Sequence, residues 1–166
     1  TGGHIVLHDE MYRTMKNKEE FSALLSHEYS HVANRHITRS LFRNLGTYLV
    51  ISLVISDVNG IMAVLLQNAD NLKSLSYSRS LEQEADEKGM QLMQKAGQDP
   101  QGMIRLFKHL QQADESGQKI PEFLSTHPML EARMKNIKKL AKENETQLRE
   151  NPKLDELWNQ LKALNE

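Results

Sequence analysis

Residues 24 to 36 read LLSHEYSHVANRH and hold three of the chain's seven histidines. Two of them, His27 and His31, bracket Glu28 in the pattern H-E-x-x-H. On a helix, residues four apart stand one above the other, about 6 Å apart along the axis. Two imidazoles at that spacing can tilt together and hold one ion at about 2.1 Å each. Glu28, next to the first histidine, comes to the rim of the same ion. A carboxylate there can take a proton from a bound water, the general-base role in zinc-dependent peptide hydrolysis. Without a further ligand, the competing reading is a solvated helix face rich in His and Glu.

The chain has no Cys, so thiolate ligands and disulfides are excluded, and any metal must be held by imidazole and carboxylate. Acidic candidates gather in LEQEAD. Glu82 and Asp86 are four apart and share a helix face, whereas Glu84 points elsewhere. That pairing lets Glu82 bind a metal while Asp86 accepts an imidazole N–H and fixes its tautomer. Taken alone, EQEADEK reads as a plain charged helix face, and His127, a lone histidine before Pro128, reads as a loop residue. His36, five residues past His31, falls off the metal-facing side and reads as structural. His4, His8 and His109 carry no comparable signal.

The elements that must position these groups are mainly helical. Leu, Lys, Glu, Gln, Met and Ala dominate, aromatics are 5%, and Gly and Pro are sparse,. The 166 residues suit one domain, spanning 1–166,. A net charge of -1 argues against a nucleic-acid surface,. Thr1 is not an initiator Met and no signal peptide precedes TGGHIVLHDEM, which reads as a piece of a longer precursor. GGHIVL alternates after paired glycines and is the strand candidate. MKNKEEFSALLSHEYSHVANRHITRSLF reads as one long helix with Asn17 as N-cap and Glu20 three residues on.

Residues 41–69 are apolar, with Arg43 and Asp57 as their only charges. The uncharged stretches beside Asp57 are 13 and 12 residues, short of the roughly 20 a membrane span needs. Asp57, Asn59 and Gly60 predict a break between two buried helical pieces, with peripheral membrane or partner contact as the other reading. SLSYSRSLEQEADEKGMQLMQKAG predicts a helix closing at Gly97, and Pro100 suits the first turn of the next. From Glu131 onward 15 of 36 residues are charged, and the Met134, Ile137, Leu140, Ala141 stripe predicts an amphipathic surface helix.

SHEYSHVANRH, YSRSLEQEAD, KAGQDPQGMIRLFKHL and LSTHPMLEARMKNI occur in that order and with spacing that resembles the zinc metallopeptidases related to the CaaX prenyl protease and HtpX. The likeness is nearest to their soluble branch of BepA-type periplasmic proteases and the mitochondrial inner-membrane quality-control protease, and it covers roughly residues 2 to 140. It implies one zinc per chain, with His27, His31 and Glu82 as ligands and Glu28 as catalytic base. It implies that Asp86 orients a ligand and that Arg79, in YSR, lies close by. His127, in STHP, matches a family histidine near the metal that either stabilises the oxyanion or fills the open position and holds the enzyme latent. GGHIVL resembles the family's edge strand, along which an extended substrate pairs. Ser30 stands where the family usually has Gly; its hydroxyl crowds the helix slightly and removes no ligand.

The resulting expectation is an α+β, predominantly α-helical, compact zincin-like metallopeptidase domain with a small N-terminal β edge. Its activity would be zinc-dependent endopeptidase action on polypeptides. The resemblance implies unfolded or misassembled envelope proteins as substrates and a periplasmic or envelope location. A zinc-loaded latent domain acting as chaperone or scaffold is the alternative.

Overall fold

The computed structural model describes residues 3–7, 9–55, 78–116, 126–127, 131–143 and 147–163. These residues form seven helices: α1 (Asp9–Thr14), α2 (Lys18–Ala33), α3 (His36–Ile55), α4 (Arg79–Lys95), α5 (Gln101–Glu115), α6 (Glu131–Glu143) and α7 (Pro152–Ala163). No strand occurs among them. The β edge expected over GGHIVL is not seen among the described residues, where residues 3–7 run without ladder pairing. Alternation alone cannot make a strand, because its N–H and C=O groups need a partner strand. The break expected at Asp57, Asn59 and Gly60, the 56–69 part of the apolar run, and the loop with Gly117 and Pro121 lie outside the described residues.

Helix α2 starts where the capping pattern predicts. The Asn17 side chain accepts from the Glu20 N–H at 3.0 Å, and Glu20 accepts the Lys16 N–H at 2.9 Å, so each satisfies a donor that the first turn leaves open,. The buried stripe of α2 then changes chemistry along its length. Phe21 and Leu24 are apolar, while His27 and His31 continue the same face one and two turns later,. Helix α4 carries the reverse order, Glu82 and Asp86 first and then Met90 and Met93. His31 faces Glu82, His27 faces Asp86, and Gly89 abuts the backbone of Ser26 and His27. The pairing order runs oppositely in the two helices, so they are antiparallel. Polar ends meet, and apolar ends meet.

That crossing needs a glycine. A Cβ on Gly89 would lie 3.2 Å from the His27 nitrogen and 3.2 Å from the Ser26 carbonyl carbon. The apolar ends continue into the core, where Leu24, Met90, Met93, Met103, Leu106 and Leu110 are all but fully buried. Unbranched methionines fill the irregular space between crossing helices. Trp158 of α7 closes one side, its ring 5.6 Å from Tyr12 and 6.0 Å from Phe21.

The long helix expected from residue 15 to 42 is divided. Asn34 caps α2, and Arg35 takes a left-handed φ of 52° before α3 begins. That conformation costs a non-glycine residue about 1 kcal/mol. Helix α4 ends as predicted: Gly97, at φ 68°, donates to the Gln94 carbonyl and Gln98 donates to that of Met93, a Schellman pair,. Pro100 is the N-cap immediately before α5. The charged C-terminal stretch forms two helices, α6 and α7, and Ile137 of the predicted stripe is fully buried.

Candidate metal centre

At the polar end of the α2–α4 pair, His27, His31, Glu82 and His127 converge. One ligating atom from each lies within 4.8 Å of all the others, and all four residues are buried. The His31 and His27 Nε2 atoms are 3.1 Å apart, and His31 Nε2 is 3.3 Å from Glu82 Oε1. His127 Nδ1 is 3.4 Å from His27 Nε2 and 3.1 Å from Glu82 Oε1. Four ligands about 2.1 Å from one zinc ion in tetrahedral geometry stand about 3.4 Å from each other. These separations lie at or up to 0.3 Å below that value, and three imidazoles with one carboxylate are a donor set zinc accepts. The residues fit a metal.

The three imidazoles and the carboxylate are held together by what lies behind them. Asp86 Oδ1 is 3.0 Å from His27 Nδ1, which leaves the Nε2 lone pair for the centre of the cluster,. Arg133, only 4% exposed, grips both acids. Its Nε and Nη2 donate to the two oxygens of Asp86 at 2.7 and 2.8 Å, and its Nη1 reaches Glu82 Oε2 at 2.7 Å. The guanidinium also lies 4.8 Å from the centre of the Phe107 ring,. Burial favours the neutral form of Asp86, but Arg133 and His27 outweigh it and hold this carboxyl below its ordinary value. Glu82 is displaced the same way, burial being overcome by hydrogen bonds from His127 and His31 and by the charge of His27,.

The histidines are not equivalent. Burial pulls His31 down to about 4, helped by the charges of His27 and His127 against the pull of Glu82. It is therefore neutral at neutral pH. Burial acts the same way on His27, yet the Asp86 hydrogen bond and the Asp86, Glu28 and Glu82 charges raise it above the ordinary imidazole value.

Glu28 sits at the rim, its side chain 21% exposed, with Oε1 3.8 Å from His127 Nε2. That oxygen is itself buried and has no hydrogen-bond partner among the described residues. An unpaired carboxylate oxygen beside a buried cluster leaves a place for a water or a substrate proton. A groove of about 340 Å³ opens on the His31 side, lined by Gly3, His4, Val32, Arg35 and Ile37 among others.

Of the residues singled out in the sequence, His27, His31, Glu82, Asp86, Glu28 and His127 are brought together. Arg79 is not: it is exposed at the start of α4, and no ion pair joins it to the cluster among the described residues. Ser30 is buried, and its hydroxyl donates to the Ser26 carbonyl at 2.7 Å, so the side chain that replaces a hydrogen is accommodated within its own helix,. His109 belongs elsewhere, 3.0 Å from the capping Glu20. His36 is fully buried against His31, because the Arg35 break carries it back; on a continuous helix five residues would place it about 140° around. His8 lies outside the described residues. Sequence reasoning missed Arg133. Its signal was its place in α6, one turn before the buried Ile137 and on the same flank of that helix.

Comparison with known proteins places these residues in a wider context. The family model described as Peptidase family M48 matches residues 1–141. The chain is 31% identical over 150 residues to a beta-barrel assembly-enhancing protease of Yersinia pestis, covering 84% of this chain and 31% of that protein. It is 30% identical over 149 residues to the mitochondrial metalloendopeptidase OMA1 of Saccharomyces cerevisiae, covering 87% of this chain and 43% of the relative. The chain thus spans under half the length of these curated relatives.

Proposed function

The chain belongs to peptidase family M48, and from that premise we propose that it is a zinc-dependent endopeptidase domain of zincin-like build. Its metal ligands are His27, His31 and Glu82, and Glu28 is its base. The observation that carries the reading is four converging buried donor atoms beside a buried, unpartnered carboxylate oxygen of Glu28. When bound, zinc supplies a Lewis acid that polarises the scissile carbonyl and brings the pKa of water toward neutrality.

The chain's own residues do the rest. Asp86 holds His27 with its Nε2 lone pair inward, and Arg133 offsets the negative charge that Glu82 and Asp86 accumulate. Glu28 takes the proton of the attacking water at Oε1 and returns it to the leaving amine. His127 sits with Nδ1 among the converging atoms and would be a further protein donor to a bound metal. In that place His127 would have to move aside for a substrate carbonyl to approach Glu28. Once displaced, its ring N–H is available to the negative charge developing on the carbonyl oxygen. A His127 so placed would hold the resting domain latent.

The substrate is a polypeptide lying extended in the groove beside His31, along residues 3–7, whose backbone has no ladder partner among the described residues and suits strand addition,. The bacterial relatives, named for beta-barrel assembly, support unfolded or misassembled envelope proteins as the substrate class and the envelope as the location. Among the described residues no helix is long and apolar enough to cross a membrane. Phe42, Leu49 and Val50 of α3 are exposed, which favours peripheral contact of this segment with lipid or a partner, and liposome flotation with all three changed to Ser tests it. His127 among the converging donors keeps a zinc-loaded, non-cleaving chaperone as the second reading.

The test is cleavage of a reduced, alkylated, permanently unfolded protein, with metal content measured alongside. Cleavage lost on chelation and restored by one equivalent of zinc supports the reading. Cleavage that persists in protein shown to be metal-free overturns it.

A further inference from the structure

His36 has no place in the chemistry above, yet it is fully buried and packs edge-on against His31, the two rings at 87°. The Nδ1 atoms of the two rings are 2.9 Å apart, so one must carry a proton and the other a lone pair,. The position of His31 decides which. Its Nε2 is the atom that joins the cluster, 3.1 Å from His27 Nε2 and 3.3 Å from Glu82 Oε1. If Nε2 is the ligating atom it keeps its lone pair, and the proton of neutral His31 is on Nδ1. His36 Nδ1 must then be the acceptor, and the proton of neutral His36 must be on Nε2. That atom faces Glu84 Oε2 at 3.6 Å, and Glu84 in turn accepts from Arg39 Nη1 at 2.8 Å. The series therefore runs outward from the cluster, with the His36 Nε2–H directed to the side of the Glu84 carboxylate but beyond direct hydrogen-bond distance of it,.

We infer that His36 is a positioning residue for the metal: it accepts the His31 Nδ1–H and so fixes the tautomer and ring orientation of that ligand. The inference rests on the zinc reading of the cluster. It gives the two helix histidines different backing. His27 leans on a carboxylate within the α2–α4 crossing, whereas His31 leans on a neutral imidazole from the next helix. The left-handed Arg35 makes this possible, since a continuous helix would carry His36 away from His31,. The strain at that residue has a use, because it folds the start of α3 back onto the ligand it supports.

The experiment is zinc affinity of the whole chain by chelator competition, for the parent, His36→Phe and His36→Asn. Asn can place an acceptor oxygen where the imidazole Nδ1 stands; Phe fills the space and cannot accept. Loss of a group that orients a metal-bound histidine costs about 10- to 100-fold in affinity, and that loss is expected for His36→Phe, with most of it recovered in His36→Asn. Equal affinity in parent and His36→Phe overturns the inference, and so does an equal loss in both variants, which would mark a packing role alone. Should the variants not fold, long-range proton–nitrogen correlation spectra of the zinc-loaded parent decide. His31 protonated at Nδ1 and His36 at Nε2 is the expected pattern, and His36 protonated at Nδ1 overturns it. A parent that binds no zinc overturns the metal reading itself, and this inference with it.

Discussion

Take Arg133 away and two buried carboxylates, Glu82 and Asp86, face each other one helical turn apart without the cation that joins them. Removing one partner of a buried ion pair costs about 3 to 5 kcal/mol, because the remaining charge stays desolvated. Arg133→Met is therefore expected to lower the melting temperature of the metal-free protein steeply. Arg133→Lys should recover only part, since an ammonium cannot reproduce the fork that binds both acids at once. An Arg133→Met protein as stable as the parent would contradict this. His127→Ala tests a different residue-scale point. If His127 closes the site at rest, the variant cleaves an unfolded protein faster than the parent while binding zinc more weakly; slower cleavage would mean that its role toward the substrate outweighs its role as a plug. The sequence made His27, Glu28 and His31 readable because four-residue spacing on a helix is a geometric statement. Arg133 was hidden for a physical reason: it sits in a stretch where 15 of 36 residues are charged, and pattern alone does not tell a buried charge from a solvated one.

At the scale of elements, the site depends on how closely α2 and α4 approach. Gly89→Ala sets two effects against each other. Alanine stabilises a helix interior by about 1 kcal/mol over glycine, while overpacking a close contact costs about 1 to 3 kcal/mol. Here the added methyl meets the backbone of Ser26 and His27 at 3.2 Å rather than a side chain that can turn aside. The second effect should win. The variant is expected to melt lower and to bind zinc more weakly, since His27 is carried on the displaced backbone; higher stability with unchanged zinc affinity would contradict the assignment. Helix ends marked by local chemistry were legible: the Asn17–Glu20 cap and the Gly97 stop are where they were expected. The division of the long helix at Arg35 was not, because neither Asn34 nor Arg35 is a strong breaker. A tertiary preference, the burial of His36 against His31, overrides the local one.

Across the whole molecule, the cluster joins α2, α4 and the segment bearing His127, which are far apart in sequence. A metal bound there acts as a cross-link. A ligand that binds only the folded state stabilises it by about 4 kcal/mol at a free concentration 1,000 times its dissociation constant. For a chain of this length that is a rise in melting temperature of roughly 8 to 16 °C, which calorimetry with and without zinc would read; no shift would mean the cluster holds no metal. The helical class was legible from composition, whereas the expected β edge is not seen among the described residues; pairing is a property of two segments, and the sequence displayed only one. The most direct test of the central claim is cleavage of an unfolded protein by the zinc-loaded chain beside Glu28→Gln, matched for zinc content. The account predicts that the substitution leaves zinc bound and abolishes cleavage, because the amide cannot take the proton. Equal cleavage by both proteins would contradict it.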